Sequence, residues 1–172
     1  ILSLVIAFNL GAFLSGTSWV FISMNKFGFV PVPYALTATF LFCLFLTFLN
    51  SIPFAIWRWI SQNRGSRPLV FSSLWVLGEW LRSWFLTGFP WLLIGYSQSS
   101  NWLSGWATIG GIFWVSFISA LIAACIWEIY RVRQKPKEVI PIIILISLLA
   151  ITGMNLLQIN WTKRSGDVLT VA

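Results

Sequence analysis

VIPIIILISLLAITGMNLLQI, residues Val139–Ile159, is a run of 21 residues without a charge. As a helix rising about 1.5 Å per residue it covers about 30 Å, the thickness of bilayer hydrocarbon. The basic stretch RVRQKPK, Arg131–Lys137, precedes it, with Glu138 between the two. Working outward, the same alternation of long apolar run and polar break recurs. Membrane helices are expected at about 1–23, 34–60, 69–86, 107–130 and 139–159. The fold class is therefore all-α, a polytopic transmembrane bundle with about five crossings, and its domain covers residues 1–160.

Composition agrees with that reading. The 172 residues are 58% hydrophobic and 9% charged, with a mean hydropathy of +0.85. A soluble domain carries about 25% charged residues because its surface faces water. The net charge of +7 does not point to nucleic acid, because the basic residues form no stripe on a polar surface. They sit in short clusters between apolar runs, where topology explains them. Arg58, Arg64, Arg67, Arg131, Arg133, Lys135 and Lys137 fall in or beside the turns after the second and fourth helices. Lys26, Lys163 and Arg164 fall on the other side. That asymmetry places the two basic turns in the cytoplasm and the C-terminal tail outside.

Two small-residue faces, Ala7-Gly11-Ser15 and Ser116-Ala120-Ala124, are expected to let neighbouring helices approach closely. Pro53 is expected to bend the second helix near one end. The segment 87–106 differs from the rest. It is rich in Gly, Ser and Trp, and its apolar core at 89–94 is too short to cross a bilayer, so a re-entrant or interfacial loop is expected. The final residues, Asp167–Ala172, alternate like the start of a strand. With no Met at Ile1 and strand-like sequence at Ala172, both ends look cut.

The chemistry-bearing residues are few. There is no histidine, which removes Cys–His catalysis and His-ligated metal sites from the chain. Cys43 and Cys125 lie in apolar runs without paired spacing and read as small packing residues. Glu79 and Arg82 stand three apart on one helix and can face the same way and pair. Either charge costs about 2.5–3.5 kcal/mol at the centre of a membrane helix, so exposure to lipid is disfavoured. One reading is a buried ion pair fixing the third long helix. The other is a polar site near the outer leaflet, with Arg82 meeting a phosphate or an acyl carbonyl. The corner Thr87-Gly88-Phe89-Pro90-Trp91 joins a rigid bend to broad aromatic faces at headgroup depth. It suits lipid contact better than a scattered aromatic belt does. No nucleophile stands near an activating base, so no catalytic residue is assigned.

The block Glu79–Gln98, EWLRSWFLTGFPWLLIGYSQ, resembles the signature of bacterial apolipoprotein N-acyltransferases. Upstream, Gly16-Thr17-Ser18-Trp19-Val20-Phe21-Ile22-Ser23 followed by Phe27-Gly28 is similar to a helix-end motif of that family. The tail from Gly166 resembles the opening strand of its nitrilase-like domain. Ser83 stands where that block commonly has glycine. The resemblance implies an inner-membrane, multi-pass enzyme of lipoprotein maturation. Such an enzyme moves an acyl chain from a phospholipid donor to the N-terminal diacylglyceryl-cysteine of an apolipoprotein, without a cofactor. It also implies a Glu-Lys-Cys triad in a periplasmic domain beginning near residues 161–172, so Cys43, Cys125 and Glu79 take no catalytic role. Lipid or substrate contact is implied at Gly88, Phe89, Pro90 and Trp91, with Glu79, Arg82, Tyr96, Gln98 and Trp19 as the surrounding candidates. A non-catalytic lipid-binding scaffold is the alternative of a different class. A small transporter fits less well, because there is one intramembrane ion pair and no internal repeat.

Overall fold

The computed structural model describes residues 2–61 and 68–162. Its main helices are α1 (Leu2–Gly16), the short α2 (Trp19–Ile22), α3 (Val32–Ser61), α4 (Pro68–Trp84), α5 (Ala107–Val132) and α6 (Pro136–Gln158). Among the described residues there is no strand. The stretch read as a strand, Asp167–Ala172, lies outside the described residues, as does the polar turn at 62–67. Four helical spans are long and apolar enough to cross a membrane: Leu2–Phe27, Val32–Trp59, Trp102–Val132 and Pro136–Gln158. Helix α4, with 17 residues, is at the lower limit for crossing, and it carries both intramembrane charges. The chain is an all-α membrane bundle.

Helix α3 packs against α4, with α1 on α3, α5 on α4 and α6 against α5. The α3–α4 contact is tight at one point: a Cβ on Gly78 would come within 2.5 Å of the Asn50 carbonyl. Helix α3 runs through Pro53 without a break. Helix α5 leaves helical geometry at Gly110 and Gly111, whose φ is +64°.

The small-residue expectation splits. Ser116 and Ala120 are buried, and Ala120 packs with Val5, Phe54 and Trp75. The face Ala7-Gly11-Ser15 points outward instead, and nothing lies within 4 Å of a Cβ built on Gly11. The buried stripe of α1 is Val5-Asn9-Phe13, at the four-residue spacing of one helix face, and Thr17, one residue past its end, continues it. Larger side chains won this face because they fill the space toward α3: Phe13 sits with Cys43 and Leu46, and the Thr17 hydroxyl meets Cys43 Sγ at 3.0 Å.

Outward-facing side chains are the second signature of a membrane. Ile143, Ile144, Leu148, Ile151 and Leu157 of α6 are all exposed. So continuous an apolar face is foreign to a soluble monomer, and lipid is the solvent that suits it.

Candidate functional site

The segment after α4 turns back over the end of the bundle. It contains three short 3₁₀ pieces, Phe85–Thr87, Ile94–Gln98 and Trp102–Trp106, and no long helix. Its first bend is tight. Leu86, Thr87 and Leu92 have positive φ, as does Gly88 at +80°. A Cβ on Gly88 would collide with the Ser83 carbonyl, so the corner requires glycine. Ser83 is accommodated nearby, because its hydroxyl donates to Trp80 O of the same helix at 2.7 Å.

Arg82 and Glu79 hold this returning segment, and they do so through its backbone. One terminal nitrogen of Arg82 donates to Phe89 O at 2.8 Å and Trp91 O at 2.6 Å. The other reaches Leu92 O at 3.4 Å. In return Phe89 N–H donates to Arg82 O at 2.8 Å. Glu79 Oε1 accepts from Ile94 N–H at 2.7 Å and from Trp75 Nε1–H at 3.1 Å. The guanidinium also lies 5.0 Å above the Phe13 ring, an attractive placement for a cation. Both side chains are 1% exposed.

Of the two readings of Glu79 and Arg82, the direct ion pair within 4.0 Å is not formed. The ion pairs within 4.0 Å among the described residues are Glu128–Arg131 and Lys135–Glu138. The physical reason is the returning loop, which brings free carbonyls and an amide N–H to the two charges. Charge-assisted bonds to those groups are stronger than neutral ones, and they satisfy backbone that would otherwise be orphaned in an apolar setting. With its terminal nitrogens turned to the loop, Arg82 presents no free fork to a phosphate.

A cleft of about 670 Å³ opens between α1, the loop and the faces of α3 and α4, with Phe8, Trp19, Trp91, Leu92 and Tyr96 among its lining. These five are exposed and form an aromatic, apolar rim. Asn9, Asn50, Glu79 and Arg82 also line the cleft and are buried, giving it a polar floor. The structure thus brings together Glu79, Arg82, Trp91, Tyr96 and Trp19. It leaves the other expected positions out of the lining. Phe89 is buried against Phe13, Cys43 and Leu46, with Phe42 edge-on to its ring at 5.2 Å, so it anchors the corner from below. Gly88 makes the bend and Pro90 stays exposed. Gln98 Oε1 accepts from Asn101 Nδ2 at 2.6 Å, a contact within the loop.

Asn9 and Asn50 are the site residues that sequence reasoning missed. Asn50 Nδ2 donates to Asn9 Oδ1 at 3.0 Å across the α1–α3 contact. The available signal was an amide within each of two apolar runs, a costly placement that usually marks a partnered or functional position. No ligand-like group of three or more His, Cys, Asp or Glu occurs among the described residues.

The family profile described as "Apolipoprotein N-acyltransferase N-terminal domain" matches residues 1–125. Proteins named apolipoprotein N-acyltransferase in Pseudomonas putida and Azotobacter vinelandii are each 36% identical over 168 residues, covering 96% of this chain and 33% of the relative. The protein of that name in Coxiella burnetii is 35% identical over 168 residues, covering 95% of the chain and 34% of the relative. The chain spans about a third of the length of these relatives. With a profile matching most of its length and the same name on each of these relatives, the chain belongs to the apolipoprotein N-acyltransferase family.

Proposed function

We propose that this chain is the membrane portion of an enzyme that takes an acyl chain from a phospholipid and delivers it to the N-terminal amine of a diacylglyceryl-cysteine lipoprotein. The observation that carries the reading is the cleft, with its exposed aromatic rim around Trp91 above a buried polar floor. An amphipathic ligand asks for such a division: apolar faces for its chains, hydrogen-bonding groups for its ester region.

In this reading the chemistry belongs to a Glu-Lys-Cys triad outside residues 1–160, in a periplasmic nitrilase-like domain that begins near residues 161–172. The thiolate attacks the phospholipid ester, a thioester forms, and the glycerol oxygen leaves as the hydroxyl of a lysophospholipid. The lipoprotein amine then attacks the thioester, forming an amide and restoring the thiol. The residues in hand bind and orient lipid: Trp91, Tyr96 and Trp19 at the rim, with Arg82 and Glu79 fixing the loop that carries Trp91. The protein sits in the bacterial inner membrane with both basic turns cytoplasmic, which the asymmetric placement of Lys and Arg supports.

The test is complementation. The full-length gene product containing this chain is produced in cells depleted of their own N-acyltransferase, and lipoprotein N-termini are read by mass spectrometry. The expected result is the mass increment of a third acyl chain; unchanged diacyl lipoproteins in the presence of membrane-inserted protein refute the reading. Residues 1–172 alone are expected to transfer nothing, and radiolabelled acyl chain retained on Cys43 or Cys125 contradicts that assignment.

A further inference from the structure

The turn between α5 and α6 lies at the opposite end of α5 from the returning loop and the cleft. It bears a hollow of about 890 Å³, lined by Tyr130, Arg131, Arg133, Gln134, Lys135 and Glu138. Positive charge at this point follows from topology alone. Topology does not ask for the way in which that charge is arranged. The stretch Glu128–Glu138 holds four basic and two acidic residues, and both acids are engaged within it. Glu128 pairs with Arg131, and Glu138 pairs with Lys135 at 3.0 Å. Among the described residues Arg133 and Lys137 have no carboxylate within 4.0 Å, and both are exposed.

Arg133 is also held in position. Its guanidinium carbon lies 4.4 Å from the centre of the Tyr130 ring, and its Nη1 donates to Tyr130 O at 3.3 Å. Trp127 stacks on Tyr130 in turn, with ring centres 5.7 Å apart. A guanidinium carries five N–H donors in a planar fork, so one such bond leaves donors over for an anion. An apolar lane starts at the same place. Ile126, Trp127 and Tyr130 are exposed at the three- and four-residue spacings of one helix face. Ile140, Ile143 and Ile144 are exposed in the first half of α6.

We propose that the α5–α6 turn is a binding site for a membrane phospholipid with a net negative headgroup. The phosphate accepts from the Arg133 fork, Lys137 adds charge from the first turn of α6, and an acyl chain lies along Trp127 and Ile126. Basic pockets between membrane helices suit such headgroups. A zwitterionic headgroup fits less well, because its ammonium finds both carboxylates already paired with basic side chains. An acidic peptide or a nucleic acid gains from the charge but leaves Trp127 and Ile126 uncovered. This lipid is distinct from any ligand of the cleft, since it sits at the other end of the bundle, and the inference stands independently of the acyl-transfer reading.

The experiment titrates the full-length protein, delipidated in detergent, with lipid, and reads binding by native mass spectrometry. Three probes are compared: phosphatidylglycerol, phosphatidylethanolamine with the same acyl chains, and soluble glycerol 3-phosphate. The expected result is binding of phosphatidylglycerol about tenfold tighter than of phosphatidylethanolamine, the equivalent of about 1.4 kcal/mol. Equal binding of the two lipids overturns the proposal without any variant being needed. Glycerol 3-phosphate that displaces the bound lipid makes the turn a site for soluble phosphate and overturns the assignment to a lipid. In the doubly substituted Arg133→Gln, Lys137→Gln protein the preference for the anionic lipid is expected to vanish, while any lipid held in the cleft is unaffected. Persistence of the preference overturns the assignment to this turn. Arg133→Lys keeps the charge and removes the planar fork, and a loss of at least threefold in phosphatidylglycerol affinity is expected. Wild-type affinity in that variant reduces the turn to a diffuse positive field and overturns the seated headgroup. Unfolding temperatures measured beside each titration confirm that these exposed substitutions leave the bundle folded.

Discussion

Helices α4 and α6 handle the membrane in opposite ways. Helix α4 buries Ser72, Trp75, Gly78, Glu79 and Arg82 and is walled by α3 and α5. Helix α6 buries only Gly153 and Leu156 and leaves a broad aliphatic face outward. A charge inside the membrane needs protein groups on every side, whereas an aliphatic helix needs a single line of contact and takes lipid for the rest. The contact of α6 is correspondingly small and close. A Cβ on Gly153 would lie 2.6 Å from the Trp102 carbonyl, and Trp106 Nε1–H donates to Leu149 O at 3.1 Å. Charge within the membrane is held only in the enclosed half, which is where the cleft lies.

The largest effect is expected at the centre of that enclosed half. Arg82→Leu strips donors from the carbonyls of Phe89, Trp91 and Leu92 and leaves Glu79 buried without its neighbouring cation. Removing one member of a buried charged constellation costs about 3–5 kcal/mol. Turnover by the full-length protein should fall at least a hundredfold, with a lowered unfolding temperature in detergent. Wild-type stability together with lost turnover would assign Arg82 a direct ligand role; wild-type values for both would dissolve the contrast between the two helices.

Next comes the close contact of α6. Gly153→Leu forces that helix off the Trp102–Trp106 turn, at about 1–3 kcal/mol for an overpacked site. A lower unfolding temperature is expected, with turnover less affected than by the Arg82 change. If the two variants behave alike, α6 is part of the functional half and the comparison fails.

At the rim, Trp91→Ala removes a ring that is 58% exposed and 5.0 Å from the Phe89 ring. Aromatic contacts are worth about 0.5–1.5 kcal/mol beyond their area, so turnover should slow by about threefold to tenfold while membrane insertion is unchanged. A wild-type rate in this variant would return Trp91 to an interfacial belt. The smallest effect is expected on the outer face of α6, where Leu148→Ala should change stability by less than about 0.5 kcal/mol. A loss of several kcal/mol there would mean that another protein element, rather than lipid, covers that face.

Much of the helical plan was legible because apolar length and basic punctuation are local properties. The run Val139–Ile159 is helical as Pro136–Gln158, and 107–130 as Ala107–Val132. The first run was legible only in part: expected as one helix over 1–23, it is broken into α1, α2 and a π-helical turn at Ser23–Phe27, which hydrophobicity does not register. For the site, the spacing of Glu79 and Arg82 correctly placed both on one buried face, and the Gly-Phe-Pro-Trp corner announced a bend. Their bonding partners were not legible, because backbone carbonyls have no identity in a sequence.

That the chain is a membrane bundle, which runs form most of its helices and where its charges are concentrated can all be read from the residues alone, since each follows from the transfer of nearby side chains between water and hydrocarbon. Packing of the helices was needed to bring Arg82 and Glu79 to the returning loop instead of each other, to turn Phe89 to the core and Trp91 to the cleft, and to join Asn9 to Asn50 from 41 residues away. Those outcomes depend on which backbone and side-chain groups come within hydrogen-bonding distance once the helices pack, and distance in space is the quantity that a linear pattern does not contain.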